Sequence, residues 1–293
     1  MNLIRSALAI IILIPVSFSA RAQNSILWEI TGNGLQSPSY LMGTLKFIGE
    51  KEFFFPAQAH AKMKACEIFA IEDEIDHHAQ HELNKAVHFQ GDESLKTVLS
   101  AADYTKVQKL FESEFGIGPS KFEKDYGRLK PLAISIAMTR LSLGEKILFY
   151  DLELVREAKK NGLETYSLEH IEREAEALNQ YPMTDQVHAL MHSVANFEEQ
   201  KKEFQLLMGD YPHGDLDKIF SYTLHPMEDN PVFIEQFYYK RNEEWVPKID
   251  KMVHDRPAFI TVGISHLKGD RGLLSLLKQK GYTLTAISIT PKE

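Results

Sequence analysis

The sequence predicts a mixed α/β fold in which a central mixed sheet, formed by two related β-α-β halves, carries a large helical insertion. Strand-like runs flank a helix-like run near both ends of the chain, at residues 39–72 and 258–289. The stretch between them, roughly 74–254, contains mostly helix-like segments separated by glycine and proline turns. No low-complexity linker divides the chain, so we expect a single domain over residues 23–293.

Residues 1–22 are excluded from this domain because they have the layout of a signal peptide. Arg5 forms a short basic region, an apolar stretch runs from Ala7 to Phe18, and Ala20 to Ala22 have the small-x-small form of a cleavage site. The apolar stretch holds about 12 residues, against the roughly 20 that span a bilayer. We therefore expect cleavage after Ala22, export to the periplasm or the medium, and no membrane span afterwards.

Charge and cysteine content argue against a nucleic-acid-binding protein and against a fold held by intrachain disulfides. Lys and Arg number 33 and Asp and Glu 41, a net charge of −8. No basic stripe is present, which argues against a nucleic-acid partner. Cys66 is the only cysteine, so an intrachain disulfide is impossible and the fold depends on its core.

The first β-α-β half follows an initial strand at Ile26–Thr31 and a glycine-rich turn. Its strands are Ser39–Gly43 and Glu67–Glu72, and Pro56 begins the helix between them. The second half has a strand at Ala258–Val262, a leucine-striped helix, and a strand at Tyr282–Ile289.

Both halves carry a glycine followed three positions later by a polar residue at the end of the first strand. The first has GTLK at 43–46 and the second GISH at 263–266. Two β-α-β units in one sheet would bring these motifs together as two halves of one site. Chance is the alternative, since Gly-x-x-His alone is a weak pattern, and the matching element order is what favours a repeat.

The insertion is predicted to be helical with one short strand. Helices are expected at residues 132–141 and Asp151–Lys160, and the strand at Leu163–Leu168. A long helix at Phe233–Val253 is expected to be interrupted at Pro247.

His266 and Glu72 follow the carboxyl ends of two predicted strands. Such ends cluster along one edge of a parallel sheet, so we expect these side chains to lie close together. A neutral imidazole and a carboxylate can share a divalent metal ion, or act as a base and its orienting partner. A structural role for His266 and a solvated acidic turn at Glu72–Glu74 are the alternatives.

Other histidines have helical spacing. Asp73, His77 and His81 are spaced four apart and would line one helix face as ligands, although a solvated surface helix is favoured. His188 and His192 are also four apart, but they lack the glutamate of a zinc-protease HExxH motif and are expected at the surface.

Four segments of the chain resemble the TraB/PrgY/GumN family, which includes the TIKI proteases: LWEITGNGLQSPSYLMGTLKF, FAIEDEID, KRNEEWVPKI and FITVGISHLKGDRGLLSLLKQKGYTLT. The C-terminal segment is the most specific, because VGxxHL, a glycine and GLLxLLxxxGY occur in order. The family's hallmark is a pair of Gly-x-x-His motifs with a glutamate and an arginine. The resemblance implies a divalent metal (Mn, Co or Zn) and hydrolysis of peptide or protein substrates.

The resemblance assigns His266 to the second motif, Glu72 to the glutamate and Arg241 to the arginine. His266 and Glu72 would be the metal ligands. Arg241 would hold a carboxylate or stabilise an oxyanion, where the sequence alone favours a surface arginine. Asp151 and Glu169 fall at acidic positions of the family and are given structural or capping roles. Aromatic residues near Arg241 would line either a substrate groove or the core: Tyr238, Tyr239 and Trp245.

Lys46 departs from the family pattern, because the first motif would place histidine there. A protonated lysine cannot donate a lone pair to a metal, so a site with both histidines is not available. In one hypothesis its ammonium replaces the metal's charge and pairs with Glu72, giving an inactive binding protein. In the other, burial lowers its pKa and makes it a base or nucleophile. The first is favoured, since a nearby carboxylate stabilises the charged lysine.

Two functions follow as expectations. In the first, an exported metal-assisted hydrolase acts on peptide-like substrates: His266 and Glu72 bind the metal or activate water, and Arg241 positions the substrate. In the second, a non-catalytic binding protein keeps the cleft and has lost the chemistry at Lys46. A structural role in an envelope or polysaccharide-export system is a third, suggested only by family naming.

Overall fold

A computed structural model describes residues 25–144, 146–222 and 230–290. The predicted signal peptide at 1–22 lies outside them. The fold is mixed α/β, as predicted, with a six-stranded mixed sheet surrounded by helices. Within the described ranges, no helix has the length and apolar character needed to cross a bilayer.

The eight strands are β1 (Leu27–Gly32), β2 (Ser39–Thr44), β3 (Ile48–Gly49), β4 (Ile68–Ile71), β5 (Ile147–Leu148), β6 (Glu164–Ser167), β7 (Ala258–Gly263) and β8 (Tyr282–Ala286). The main sheet has the order β6-β4-β7-β2-β1-β8, and β3 pairs with β5 separately. Strands β6, β4, β7 and β2 are parallel, whereas β1 is antiparallel to both of its neighbours.

The helices are α1 (Ala57–Lys64), α2 (His77–Val87), α3 (Leu95–Val98), α4 (Ala101–Phe115), α5 (Pro119–Tyr126), α6 (Pro131–Ser142), α7 (Tyr150–Lys160), α8 (Ile171–Asn179), α9 (Met183–Ala195), α10 (Phe197–Asp210), α11 (Leu216–Tyr222), α12 (Pro231–Phe233), α13 (Lys240–Asp255) and α14 (Leu273–Gln279). Short 3₁₀ turns occur at Tyr211–His213 and Ile264–Leu267, and a π-helical turn at Ile234–Tyr239. The main core lies between the sheet and its covering helices, and a second cluster joins α4, α5, α6 and α9.

The two predicted β-α-β blocks interleave in the sheet. The first is β2-α1-β4 and the second is β7-α14-β8, and β7 lies between β2 and β4. Strands β2 and β4 are buried along their whole length, as expected where helices cover both faces of a parallel sheet. Thr44 pairs with Gly263 in the register, so the two motifs leave the sheet side by side.

One prediction for the insertion is confirmed and another is wrong. The short strand predicted at Leu163–Leu168 is confirmed, and as β6 it joins the edge of the main sheet. The predicted interruption at Pro247 is wrong, because α13 continues through it. A proline removes one backbone donor, and burial of Trp245 and Ile249 on either side of it offsets this loss. The irregular part is instead the π-helical turn immediately before α13.

Candidate functional site at the edge of the sheet

Polar side chains follow the carboxyl ends of all four parallel strands: Lys46 after β2, Glu72 after β4, Glu169 after β6 and His266 after β7. The β4–β6 pairing continues past the strands, since the Glu169 amide donates to the Glu72 carbonyl at 2.8 Å. Helix α13 adds three buried side chains: Arg241, Asn242 and Trp245. The edge predicted from the sequence therefore does bring Glu72, His266 and Arg241 together.

Arg241 is fully buried, and the surface position favoured by the sequence alone is wrong. Its Nε donates to Glu169 Oε1 at 2.8 Å, and its Nη2 contacts Glu72 Oε2 at 3.2 Å. Its Nη1 donates to the Phe237 carbonyl in the π-helical turn at 3.1 Å. The guanidinium also lies over the Phe237 and Trp245 rings, 4.6 and 4.8 Å from their centroids. Arg241 thus bridges two carboxylates, and two aromatic rings pack against its guanidinium.

Both carboxylates have a second donor. Trp245 Nε1 donates to Glu169 Oε2 at 2.8 Å, and the Gly263 amide donates to Glu72 Oε1 at 2.5 Å. Burial raises the pKa of Glu169, against the opposing effect of Arg241. Burial also acts to raise the pKa of Glu72, but the positive charges around it hold that pKa below its ordinary value. Glu169 is the closest anionic partner of Arg241, with its Oε1 2.7 Å from Nη2.

The tautomer of His266 follows from Asn242, a partner that the sequence did not reveal. The Asn242 amide nitrogen donates to the carbonyls of His266, at 3.2 Å, and Arg271, at 2.9 Å. Its Oδ1 therefore accepts from His266 Nδ1, at 2.6 Å. The proton lies on Nδ1, and the Nε2 lone pair faces Glu72 Oε1, at 3.7 Å, and Arg241 Nη1, at 3.5 Å.

Aromatic rings surround this imidazole. The Trp245 ring centroid lies 4.5 Å from that of His266, and Tyr238 meets it edge-on at 5.1 Å. Tyr239 instead lies under the Arg271 guanidinium. Trp245 is fully buried and belongs to the core, which is the second of the two alternatives weighed for it. Burial lowers the pKa of His266 to about 3.

This low pKa predicts a loss of stability in acid. Unfolded His266 takes up a proton below its ordinary pKa of 6.5, whereas the folded chain resists protonation down to about 3. Because the unfolded state binds more protons in this window, stability contributed by neutral His266 falls as the pH falls. We expect wild type to lose stability relative to His266→Gln at a rate approaching about 1.4 kcal/mol per pH unit below 6.5. Denaturant titrations from pH 7 to 4.5 measure this, and parallel curves would contradict it.

Lys46 extends from the end of β2 towards α8. Its Nζ lies 3.8 Å from Glu174 Oε1, and its side chain remains 56% exposed. The hypothesis that it pairs with Glu72 is wrong in this detail, since Glu72 pairs with Arg241. The Glu174 carboxylate, followed by Asp73 and other acidic groups, raises the pKa of Lys46. A base or nucleophile needs the opposite shift, so Lys46 is an ammonium ion here.

The acidic residues around Lys46 were only partly foreseen. Asp73 and Glu174 each have one buried carboxylate oxygen that meets no N–H or O–H donor of another described residue, and a hydrogen bond joins the two side chains when one of them is protonated. Burial, followed by the neighbouring Glu174, raises the pKa of Asp73 to about 9, so this pair retains one proton. Burial raises the pKa of Asp151 to about 6. The position of Glu169 after a predicted strand could have placed it at the site, but nothing in the acidic α8 sequence distinguishes Glu174.

The other histidines lie outside this site. Helix α2 begins at His77, where the Asp76 side chain accepts from the Ala79 amide at 2.8 Å. Asp73 therefore precedes the helix and shares no face with His77 and His81, both of which are exposed. His188 and His192 are exposed on α9, as expected.

The side chains at the edge do not complete a metal site. His266 Nε2 and Glu72 Oε1, 3.7 Å apart, have the separation of two ligands that each lie about 2.1 Å from one ion. Lys46, where the resemblance led us to expect a histidine ligand, is an ammonium ion that contacts Glu174, and the Arg241 guanidinium contacts Glu72. Throughout the described parts of the chain, no three His, Cys, Asp or Glu side chains are arranged to hold a metal ion.

Comparison with known proteins shows the family of this chain. The model of the TraB/PrgY/gumN family matches residues 26–286. Metalloprotease TIKI2 of Danio rerio is 21% identical over 320 aligned positions, covering 90% of this chain and 61% of the relative. Metalloprotease TIKI homolog of Amphimedon queenslandica is 22% identical, covering 92% and 62%. This chain thus spans less than two thirds of each of these relatives, and no solved structure matches it significantly. The chain belongs to the TraB/PrgY/gumN family.

Proposed function

We propose that this protein is an exported binding protein that holds peptide-like ligands at the carboxyl edge of its sheet without a resident metal ion. The observation that carries the proposal is the Lys46 ammonium, which stands at the first-motif histidine position and contacts Glu174 at 3.8 Å. It supplies positive charge where the family would place a metal ligand. The layout of residues 1–22 supports export.

An open cleft supports ligand binding next to the site. Its volume is about 620 Å³, and Glu169 forms part of its wall. The cleft falls within the usual size range of small-molecule pockets. The lining is mostly charged: Glu74, His78, Glu169, His170, Glu172, Arg173, Glu176, Glu244 and Lys248. These charged side chains can donate to and accept from a peptide backbone.

A second candidate function is metal-dependent peptide hydrolysis. Its support is the 3.7 Å separation of His266 Nε2 and Glu72 Oε1, together with relatives that are metalloproteases. Under this alternative, ligands from solvent or substrate would have to complete the coordination.

Lys46→His separates the two candidates. We expect wild type to retain no stoichiometric Mn²⁺, Co²⁺ or Zn²⁺ after reconstitution and desalting, whereas the variant retains one of them. The reason is that the substitution replaces an ammonium, which has no lone pair, by a neutral imidazole that can join His266 and Glu72 as a third ligand. Elemental analysis measures the bound metal, and a quenched-fluorescence peptide mixture measures cleavage.

Two further variants serve as controls. Lys46→Gln removes the charge without adding a strong ligand and should not gain metal, and Lys46→His combined with His266→Ala should lose any gain. Stoichiometric metal and peptide cleavage in wild type would sink the binding-protein proposal and favour the hydrolase.

A further inference from the structure

A histidine at the far end of α13 contacts two backbone carbonyl groups at once. His254 lies in the last turn of this helix, whose first turn carries Arg241 and Asn242. Its Nδ1 lies 2.8 Å from the carbonyl oxygen of Asp250, one helical turn earlier, and its Nε2 lies 2.9 Å from that of Asn33, in the turn between β1 and β2. A carbonyl oxygen can only accept a hydrogen bond, so each ring nitrogen needs a proton. The two contacts together therefore require the imidazolium form of His254.

The groups that face this imidazole from other elements are consistent with its charge. Tyr282 of β8 donates its hydroxyl to Asp250 Oδ1 at 2.6 Å, so the Tyr282 oxygen can accept from His254 Nδ1 at 3.2 Å. Asp250 Oδ1 itself lies 3.7 Å from Nδ1, and the C-terminal end of a helix favours a positive charge. Lys280 acts against this charge from the end of α14, where its Nζ lies 3.6 Å from Asp250 Oδ2. Residues 33–38 of the turn have no titratable side chain.

The turn that His254 contacts has an unusual backbone. Gly32, Asn33 and Gly34 have successive φ angles of 79°, 46° and 82°. Among the described non-glycine residues, Asn33 alone has a positive φ, a region that a Cβ makes unfavourable. The hydrogen bond from His254 holds the Asn33 carbonyl and so restrains the turn in this conformation. The turn leads into β2, the strand that Lys46 follows.

We propose that His254 is a pH-sensitive latch, which ties the turn between β1 and β2 to the end of α13 while the imidazole is protonated and loosens it when the imidazole is neutral. Losing one proton leaves a lone pair 2.8 or 2.9 Å from a carbonyl oxygen, so the ring must turn away from one acceptor. Any bond that the neutral ring keeps to Asn33 has lost its charge assistance, which about halves its strength. The latch goes beyond the proposed function and does not depend on it, because it lies at the opposite end of α13 from Arg241 and Asn242.

The pH dependence of the latch is opposite to that of His266. The carbonyl of Asp250, followed by that of Asn33, raises the pKa of His254 above its ordinary value of 6.5. The contribution of His254 to stability is therefore complete below 6.5 and is lost as the pH rises through the raised pKa. The contribution of neutral His266 is instead lost as the pH falls below 6.5. The two histidines thus act in separate pH ranges and can be measured separately.

Nuclear magnetic resonance of the protein with isotope-labelled histidine tests the latch by titration from pH 5.5 to 9. His254→Gln identifies the His254 signals and serves as the control, because its amide nitrogen can donate to the Asn33 carbonyl without titrating. We expect both ring nitrogens of wild-type His254 to be protonated at pH 6, with a titration midpoint above 6.5. The Leu35 amide donates to the Gly32 carbonyl within the turn, at 3.0 Å. Its hydrogen-exchange protection factor, corrected for the intrinsic effect of pH, should fall by about 3- to 10-fold across that midpoint in wild type only.

Asp250→Asn shows which acceptors matter, because it removes the carboxylate charge and leaves the backbone carbonyl in place. The midpoint of His254 should stay above 6.5 in this variant, since both carbonyl contacts remain. A midpoint that returns to 6.5 in Asp250→Asn would assign the effect to the carboxylate and overturn the latch. So would a single protonated ring nitrogen in wild type at pH 6, or equal Leu35 protection profiles in wild type and His254→Gln. His254 is 42% exposed, so its replacement leaves the core intact.

Discussion

Replacing Arg241 with methionine is expected to lower the free energy of unfolding by about 3–5 kcal/mol, the usual cost of breaking a buried ion pair from one side. Arg241 is fully buried and is the cationic partner of both Glu169 and Glu72. Its removal leaves Glu169, which is also buried, with only the Trp245 donor. Methionine fills much of the same volume, so the loss of unfolding free energy reports mainly the buried, unpaired charge of Glu169 and only to a small extent a cavity. Denaturant unfolding at pH 7 gives the value.

Arg156→Met is the matched control, because the Arg156 side chain is 69% exposed and its pair with Glu153 lies on the surface. This change should cost no more than about 1 kcal/mol. Adding Glu169→Gln to Arg241→Met should recover part of the larger loss, since the amide removes the unpaired charge. A loss below about 1 kcal/mol in Arg241→Met would show that water reaches the network and screens it.

The position of the site was predictable because it depends on local patterns. Apolar runs ending in Gly43 and Gly263 mark two parallel strands, and parallel strands place their carboxyl ends at one edge. Glu72 and His266 follow such ends, so their proximity could be deduced without any knowledge of the helices. Glu169 follows the predicted strand that became β6, so its place at the same edge could have been deduced too, although we expected only a structural or capping role for it from the sequence.

The partners contributed by helices were not predictable in the same way. Asn242 orients His266 because α13 crosses the edge with one particular rotation about its axis. Glu174 reaches Lys46 because α8, which packs against α2 and the π-helical turn, buries that side chain, whereas Glu172 of the same helix is exposed. A sequence shows which face of a helix is apolar, but it does not show which polar residue at the margin of that face meets a neighbouring element. That depends on tertiary packing.

Gly43 and Gly263 lie at neighbouring strand ends, where side-chain or backbone atoms of the other β-α-β half come close to both glycines. A Cβ on Gly263 would lie 3.2 Å from Glu72 Oε1, the oxygen that the Gly263 amide contacts. A Cβ on Gly43 would lie 2.8 Å from Leu267 Cδ1 and 3.2 Å from the Ile264 Cα. Each glycine thus allows the turn or carboxylate of the other half to approach its backbone.

Gly43→Ala is therefore expected to lower the free energy of unfolding by about 1–3 kcal/mol, as overpacking of a tight core does. The Leu267 side chain can move, but Ile264 Cα belongs to the turn that carries His266, so this turn must shift and alter the His266–Glu72 separation. Gly209→Ala in α10 is the control, since a Cβ added at Gly209 would have no neighbouring atom within 4 Å. Its free energy of unfolding should rise by between 0 and about 1 kcal/mol, because alanine favours a helix more than glycine does. Denaturant unfolding of both variants measures the difference. If Gly43→Ala were as stable as Gly209→Ala, close approach of the two halves could not be the reason for the first glycine.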